Sequence, residues 1–267
     1  MISVIVITKN EEERIKACLE SVKWADEIII ADTGSTDNTL EIARGYTKNI
    51  FACKGNNFMV WRNEAIEKAS GDWILYLDSD ERVLESLRKE IEEVTKSAEN
   101  SAYAISRRNI IFGQEEKYGP FWPDWVVRLF KKSDFETWVG EVHEYPKFKG
   151  RLGYTKNSFL HLTHRDIDHV VLKSLSWSKI DAKLRLEAGH PQISGWRLLR
   201  ILTTELFNQG IKRKGFFSGT VGVIDSLMQT FSMVITYIRL WELQQPKTRR
   251  EVYQDLDKKL IESNFNF

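Results

Sequence analysis

Three short, almost wholly apolar runs, Ile2–Thr8, Glu27–Asp32 and Trp73–Asp78, each end in polar side chains. Runs of this length without an alternating polar face belong to strands buried on both sides, as in a parallel sheet covered by helices. The stretches between them have helical spacing. Ile15, Leu19 and Val22 follow the first run, with Asn10 placed to cap them. Leu40, Ile42 and Ala43 follow the second, where Gly34, Ser35, Thr36 and Asp37 turn the chain. A short strand is expected over residues 49–53, a helix over 57–69, and a charged surface helix over 85–97 with Leu87, Ile91 and Val94 inward. The βαβαβαβ order predicts an α/β fold with a mostly parallel sheet between helices.

The pattern then changes. Residues 102–112 and 125–131 read as strands around an irregular stretch rich in Gly, Pro and aromatics, and Phe159 and Leu160 end another apolar strand. From His164 onward helices are expected over roughly 166–189, 194–209, 221–243 and 248–263. The chain is therefore divided into an α/β part, 1–160, and a helical C-terminal extension, 161–267.

Lys plus Arg number 39 against 38 Asp plus Glu, so whole-chain charge makes no case for a nucleic-acid partner. Cys18 and Cys53 have no metal-ligand or C-x-x-C spacing and read as buried reduced thiols. The apolar start lacks the basic flank and the length of a signal peptide. Two common nucleotide motifs are missing: no G-x-G-x-x-G follows the first strand, and the Walker-like spacing of Gly210 and Gly215 runs into Phe216.

The chemistry lies at the strand ends. Thr8, Lys9 and Asn10 close the first, Asp32 the second, and Asp78 and Asp80 the strand beginning at Trp73. Ligands of open α/β sheets bind outside the carboxyl ends of the strands. Carboxylates there, beside a diphosphate, hold Mg²⁺ or Mn²⁺ with a few hard oxygens while phosphate and water supply the rest.

Four segments carry a resemblance: Ser3 to Glu11 (SVIVITKNE), Ala31 to Asp37 (ADTGSTD), Arg62-Asn63, and Leu77 to Glu81 (LDSDE). In this order and spacing, residues 1–98 resemble a family 2 glycosyltransferase of the GT-A fold. The resemblance implies a catalytic domain over 1–160 that binds a nucleotide-sugar donor. Thr8, Asp32 and Arg62 would contact the nucleotide and Asp78 its ribose, with Asn10, Glu11 and Arg128 among the donor-binding residues. Asp80 would bind Mg²⁺ or Mn²⁺. The usual Asp-Asp of the second segment is Ala31-Asp32 here, so one carboxylate is missing.

Arg128-Leu129-Phe130 followed by Gly140-Glu141-Val142-His143-Glu144 is similar to the branch that builds lipopolysaccharide inner cores. That similarity makes Glu144 the expected catalytic base, Glu141 the alternate, and His143 a residue that orients the base or binds phosphate. If the segment is an extended strand, Glu141 and Glu144 project from opposite faces and only one can serve. His161, near His164, is the candidate to complete the metal site beside Asp80; no zinc spacing is present. Tyr118, Phe121, Trp122 and Trp125 suit either sugar contact or core packing.

In 221–243 polar residues recur at Asp225, Gln229, Ser232, Thr236 and Arg239, and the thirteen uncharged residues between Asp225 and Arg239 fall short of a transmembrane span. Lys212-Arg213-Lys214 beside Phe216 and Phe217, with Arg197 and Arg200, reads as a segment on an anionic membrane surface. The expectation is a cytoplasmic inverting hexosyltransferase, peripheral on the inner face of the plasma membrane. It would move glucose from UDP-glucose to a lipid-linked or envelope-glycan acceptor such as lipopolysaccharide core. A homo-oligomer is possible on this reading. A nucleotidyltransferase and a non-catalytic membrane adaptor are the rival readings.

Overall fold

The computed structural model describes residues 1–55, 57–97, 99–115, 123–140, 144–164 and 166–265. The strands among the described residues are β1 (Ile2–Thr8), β2 (Glu27–Asp32), β3 (Ile50–Ala52), β4 (Trp73–Asp78), β5 (Glu81–Arg82), β6 (Ala102–Ile111), β7 (Gln114–Glu115), β8 (Asp124–Lys131), β9 (Phe135–Val139), β10 (Tyr145–Phe148) and β11 (Leu152–Thr163). The α-helices are α1 (Ile15–Glu20), α2 (Thr39–Arg44), α3 (Phe58–Lys68), α4 (Glu85–Ser97), α5 (Ile167–Glu187), α6 (Gly195–Leu206), α7 (Gly219–Leu243) and α8 (Arg249–Glu262). The chain forms two compact units, an α/β unit running to Thr163 and a helical unit from His164.

In the α/β unit the sheet order is β3-β2-β1-β4-β8-β6-β11-β5, with β7 paired to β6. β1 runs parallel to β2 and β4, β2 to β3 and β6 to β11, whereas β8 is antiparallel to both its neighbours. The expected mostly parallel α/β architecture is thus present, with β9 and β10 forming a separate hairpin. Period-two alternation splits the core into two layers. Val4, Val6, Leu75 and Leu77 pack with Ile15, Leu19, Leu87 and Ile91 on one side. Ile5, Ile7, Ile74 and Tyr76 pack with Ala65, Ile66, Phe130 and Trp138 on the other. The strand order reverses direction at β1 and β4, which is where such sheets open a ligand crevice.

Some local expectations change. Asn10 does not cap α1, which begins five residues later without a side-chain cap. Asn10 instead takes a positive φ of 53°, and its Oδ1 accepts the Thr36 N–H at 2.8 Å, tying the first strand end to the turn after β2. β9 ends at Val139, before Glu141 and Glu144. Val139 pairs with Tyr145 of the antiparallel β10, and Gly140 takes a positive φ of 97°, open to glycine. Both cysteines are free, but Cys53 is only half-buried; burial pushes its thiol up to about 12.

In the helical unit α5 and α7 pack on one another, and α6 also packs on α7. The helix expected over 194–209 ends at Leu206 and continues as a π-turn over Phe207–Lys212. Gly210 there lies against the Phe216 ring with no room for a Cβ. Among the described residues α7 is the one helix long and apolar enough to cross a membrane by length and composition. It exceeds the uncharged stretch counted from sequence because it starts at Gly219 and extends past Arg239 to Leu243.

Candidate active site

Register brings three strand ends together: Thr8 pairs with Asp32, and Ile7 with Asp78. Thr8 and Asp32 are buried. The Asp32 carboxylate accepts the Gly34 and Ser35 N–H groups at 3.1 Å, which fixes the turn leaving β2. The Glu11 N–H donates to Thr39 Oγ1 at 2.7 Å, so the loop after β1 is held to α2.

The turn after β4 is locked by a side chain flagged only as part of the acidic run. Glu81, fully buried, accepts the Asp78 N–H at 2.9 Å through one carboxylate oxygen and Arg107 Nε at 2.6 Å through the other. Three guanidinium groups close on the Asp78 carboxylate: Arg62 at 3.1 Å, Arg107 at 3.0 Å and Arg128 at 2.8 Å. Burial alone would raise the Asp78 pKa, but Arg128, Arg62 and Arg107 outweigh it and hold the carboxyl far below the usual range. Burial would likewise lower Arg107, yet Glu81, Asp78 and Asp124 keep it firmly protonated. Arg128 is lowered by burial and by the nearby charge of Arg62.

Arg62 is 1% exposed and lies over the rings of Trp138, at 4.9 Å, and Tyr76, at 5.2 Å. Its Nε stands 3.5 Å from Glu144 Oε1. The adjacent Asn63 accepts the Trp138 N–H at 2.9 Å and donates to the Trp138 carbonyl at 3.1 Å. The Arg62-Asn63 pair on α3 thus joins the Asp78 turn to the hairpin that carries Glu144. Glu141, His143, Tyr118, Phe121 and Trp122 lie outside the described residues. Trp125 is exposed and packs edge-on against Tyr154.

Asp80 and His161 come together: His161 Nε2 is 3.4 Å from Asp80 Oδ2. Asn109 stands opposite His161 in the β6–β11 register, and its Oδ1 lies 2.6 Å from His161 Nδ1. Asn109 Nδ2 faces Asp124 Oδ2 at 3.5 Å, which fixes the amide orientation. With the Asn109 oxygen on Nδ1, it is Nε2 that faces the Asp80 carboxylate. An imidazole nitrogen and a carboxylate oxygen 3.4 Å apart are two groups of the kind that hold a divalent cation. Among the described residues no group of three or more His, Cys, Asp or Glu does so.

Arg107, Asn109 and Trp138 were given no role from sequence, and Asn63 only a place in the motif beside Arg62. Two arginines and an asparagine inside the apolar run 102–112 were the available signal, since charges within a buried strand need partners.

A sequence profile described as Glycosyl transferase family 2 matches residues 3–153. A lipopolysaccharide core biosynthesis glycosyltransferase, LpsC of Rhizobium meliloti, is 27% identical over 94% of this chain and 96% of its own length. An uncharacterized glycosyltransferase of Rickettsia typhi is 27% identical over 95% of this chain and 91% of its own. The crystal structure of S. aureus TarS 1–349 in complex with UDP-GlcNAc is 16% identical, covers 87% of this chain and 81% of that one, and has a TM-score of 0.48. With more than half its length inside the matched region, and with the mixed α/β sheet its motifs implied, the chain belongs to glycosyl transferase family 2.

Proposed function

We propose that the chain is an inverting, divalent-metal-dependent hexosyltransferase. It takes a nucleotide-sugar donor, UDP-glucose being the first to test, and glycosylates a hydroxyl of a lipid-linked or envelope glycan. The observation that carries this reading is the register that gathers Thr8, Asp32 and Asp78 at the sheet's switch point, together with the Asp80–His161 pair. The relative named for lipopolysaccharide core biosynthesis supports the acceptor class.

In this reading Asp78, Asp32 and Thr8 hold the nucleoside. Glu144 takes the proton of the acceptor hydroxyl as that oxygen bonds to the anomeric carbon. The bond from that carbon to the nucleoside diphosphate breaks, and the diphosphate leaves with the electron pair. Asp80 and His161 would hold Mg²⁺ or Mn²⁺: the carboxylate, diphosphate and water suit either ion, and the imidazole nitrogen favours Mn²⁺ over Mg²⁺. Bound there, the cation supplies electrostatic stabilisation of the leaving diphosphate. Glu144 is the base here and Glu141 the alternate.

The test is nucleoside-diphosphate release from UDP-, GDP-, ADP- and TDP-sugars with Mn²⁺ or Mg²⁺. Slow hydrolysis of one donor, absent without metal and absent in Asp80→Ala, is the expected result. Release of pyrophosphate would turn the assignment to a nucleotidyltransferase, and no donor binding under any metal would leave only the adaptor reading. A second expectation concerns Asn109, which positions His161. Asn109→Leu should weaken Mn²⁺ binding about 10- to 100-fold in titration calorimetry. Unchanged affinity would remove His161 from the metal site.

A further inference from the structure

The helical unit buries few apolar side chains completely. Among its described residues the buried apolar side chains are Val170, Ala182, Ile193 and Leu240, and of these only Val170, Ile193 and Leu240 exceed a methyl group. Buried positions on the two packed helices α5 and α7 are otherwise small or polar: Ser174, Ser178, Asp225, Ser226, Thr230 and Thr236. Their hydroxyls are satisfied locally, Ser226 on the Gly222 carbonyl at 2.7 Å and Thr230 on the Ser226 carbonyl at 2.8 Å, while Arg239 Nε donates to Ser178 Oγ at 2.9 Å between the helices. Gly215 and Gly222 meet so closely that neither could carry a Cβ without collision. Small residues and hydroxyls at these positions let α5 and α7 approach closely.

The outer surface shows the complement. α6 buries none of its residues. Trp196, Leu199 and Leu202 recur along it at 74%, 50% and 37% exposure, and Phe207, Ile211 and Phe217 follow at 57%, 43% and 73%. Six large apolar side chains this exposed within one short segment suit a surface that meets a partner. Between residues 195 and 218 the charged side chains are Arg197, Arg200, Lys212, Arg213 and Lys214 against the single acid Glu205. A strong positive excess on one apolar segment, in a chain of net charge +1, matches an anionic surface with a hydrocarbon layer beneath it.

We propose that residues 195–218 seat the protein in the headgroup layer of an anionic bilayer. The apolar side chains of α6 and the Phe216-Phe217 turn enter the acyl boundary, and the Lys and Arg side chains meet lipid phosphate. This assignment does not depend on the donor, the metal or the base.

Full-length protein is sedimented with phosphatidylcholine vesicles, with or without a third of phosphatidylglycerol. Binding to the anionic vesicles and weak or no binding to the neutral ones is expected. W196S/F217S should lose about tenfold or more in partitioning. K212Q/R213Q/K214Q should lose about a hundredfold on the anionic vesicles only. W196S/F217S alters exposed side chains alone and should match wild type in unfolding midpoint and metal-supported donor hydrolysis. Arg213 is half-buried and donates to Gln209 Oε1 at 3.2 Å, so for the triple variant unchanged donor hydrolysis is the control. Failure of wild type to bind either vesicle, or equal binding by W196S/F217S, would overturn the proposal. So would a concentration-dependent dimer abolished by W196S/F217S in a protein that ignores vesicles, because a second copy would then cover this face.

Discussion

Glu144→Gln is expected to lower kcat by about 10²- to 10⁴-fold, the span for removing a positioned general base, while donor affinity stays within about twofold. Gln keeps the shape and an oxygen toward Arg62, whose Nε lies 3.5 Å from the carboxylate, so the hairpin anchor is largely retained. Loss of the proton acceptor alone then separates chemistry from binding. Single-turnover transfer and calorimetric donor titration give the two readings. If Glu144→Gln transfers at the wild-type rate and Glu141→Gln does not, the base is Glu141. If both retain the rate, the hairpin carries no base.

Asp78→Asn is expected to destabilise the fold by about 3–5 kcal/mol, the cost of removing one partner from a buried charge cluster. The reason is the cage around it. Side-chain exposure is 1% for Arg62, 7% for Arg128 and 14% for Arg107, so none of the three regains water when the counter-charge goes. Loss on that scale is a large share of a typical folding free energy and is readable as a shift in urea midpoint. The pH dependence follows from the depressed carboxyl. A group whose folded pKa lies below its unfolded value stabilises the fold above the unfolded value and loses that contribution as pH falls toward the folded one. The gap between wild type and Asp78→Asn should therefore be constant from about pH 8 to 5 and narrow below about pH 4. An unchanged midpoint in Asp78→Asn, or a gap that widens on acidification, would show that the arginines do not depend on Asp78.

Much of the α/β unit was legible because its strands are buried on both faces. A continuous apolar run ending in Asp or Thr announces both the strand and the edge where it leaves the sheet, and β1, β2 and β4 appear where those runs are. The short partners were not legible. β5 has two residues, and β9 and β10 have five and four, too few for any period to show. Asn10 misled for a similar reason: a capping residue is a local signal, whereas its actual partner, Thr36, is 26 positions away.

By itself, then, the chain's sequence determined the sheet's parallel half, the acidic strand ends and the family motifs, because each is written in residues close together in the chain. Only the tertiary structure decided what those carboxylates face. Arg62, Arg107 and Arg128 come from α3, β6 and β8 to meet Asp78, and Asn109 and His161 meet across a register 52 residues long. It also decided which side of the C-terminal helices is inward. Helical spacing places Asp225, Thr236 and Arg239 near one face of α7, but packing against α5 turned polar positions of that helix inside. Periodicity defines a face; only a neighbouring helix determines whether that face is the core or the surface.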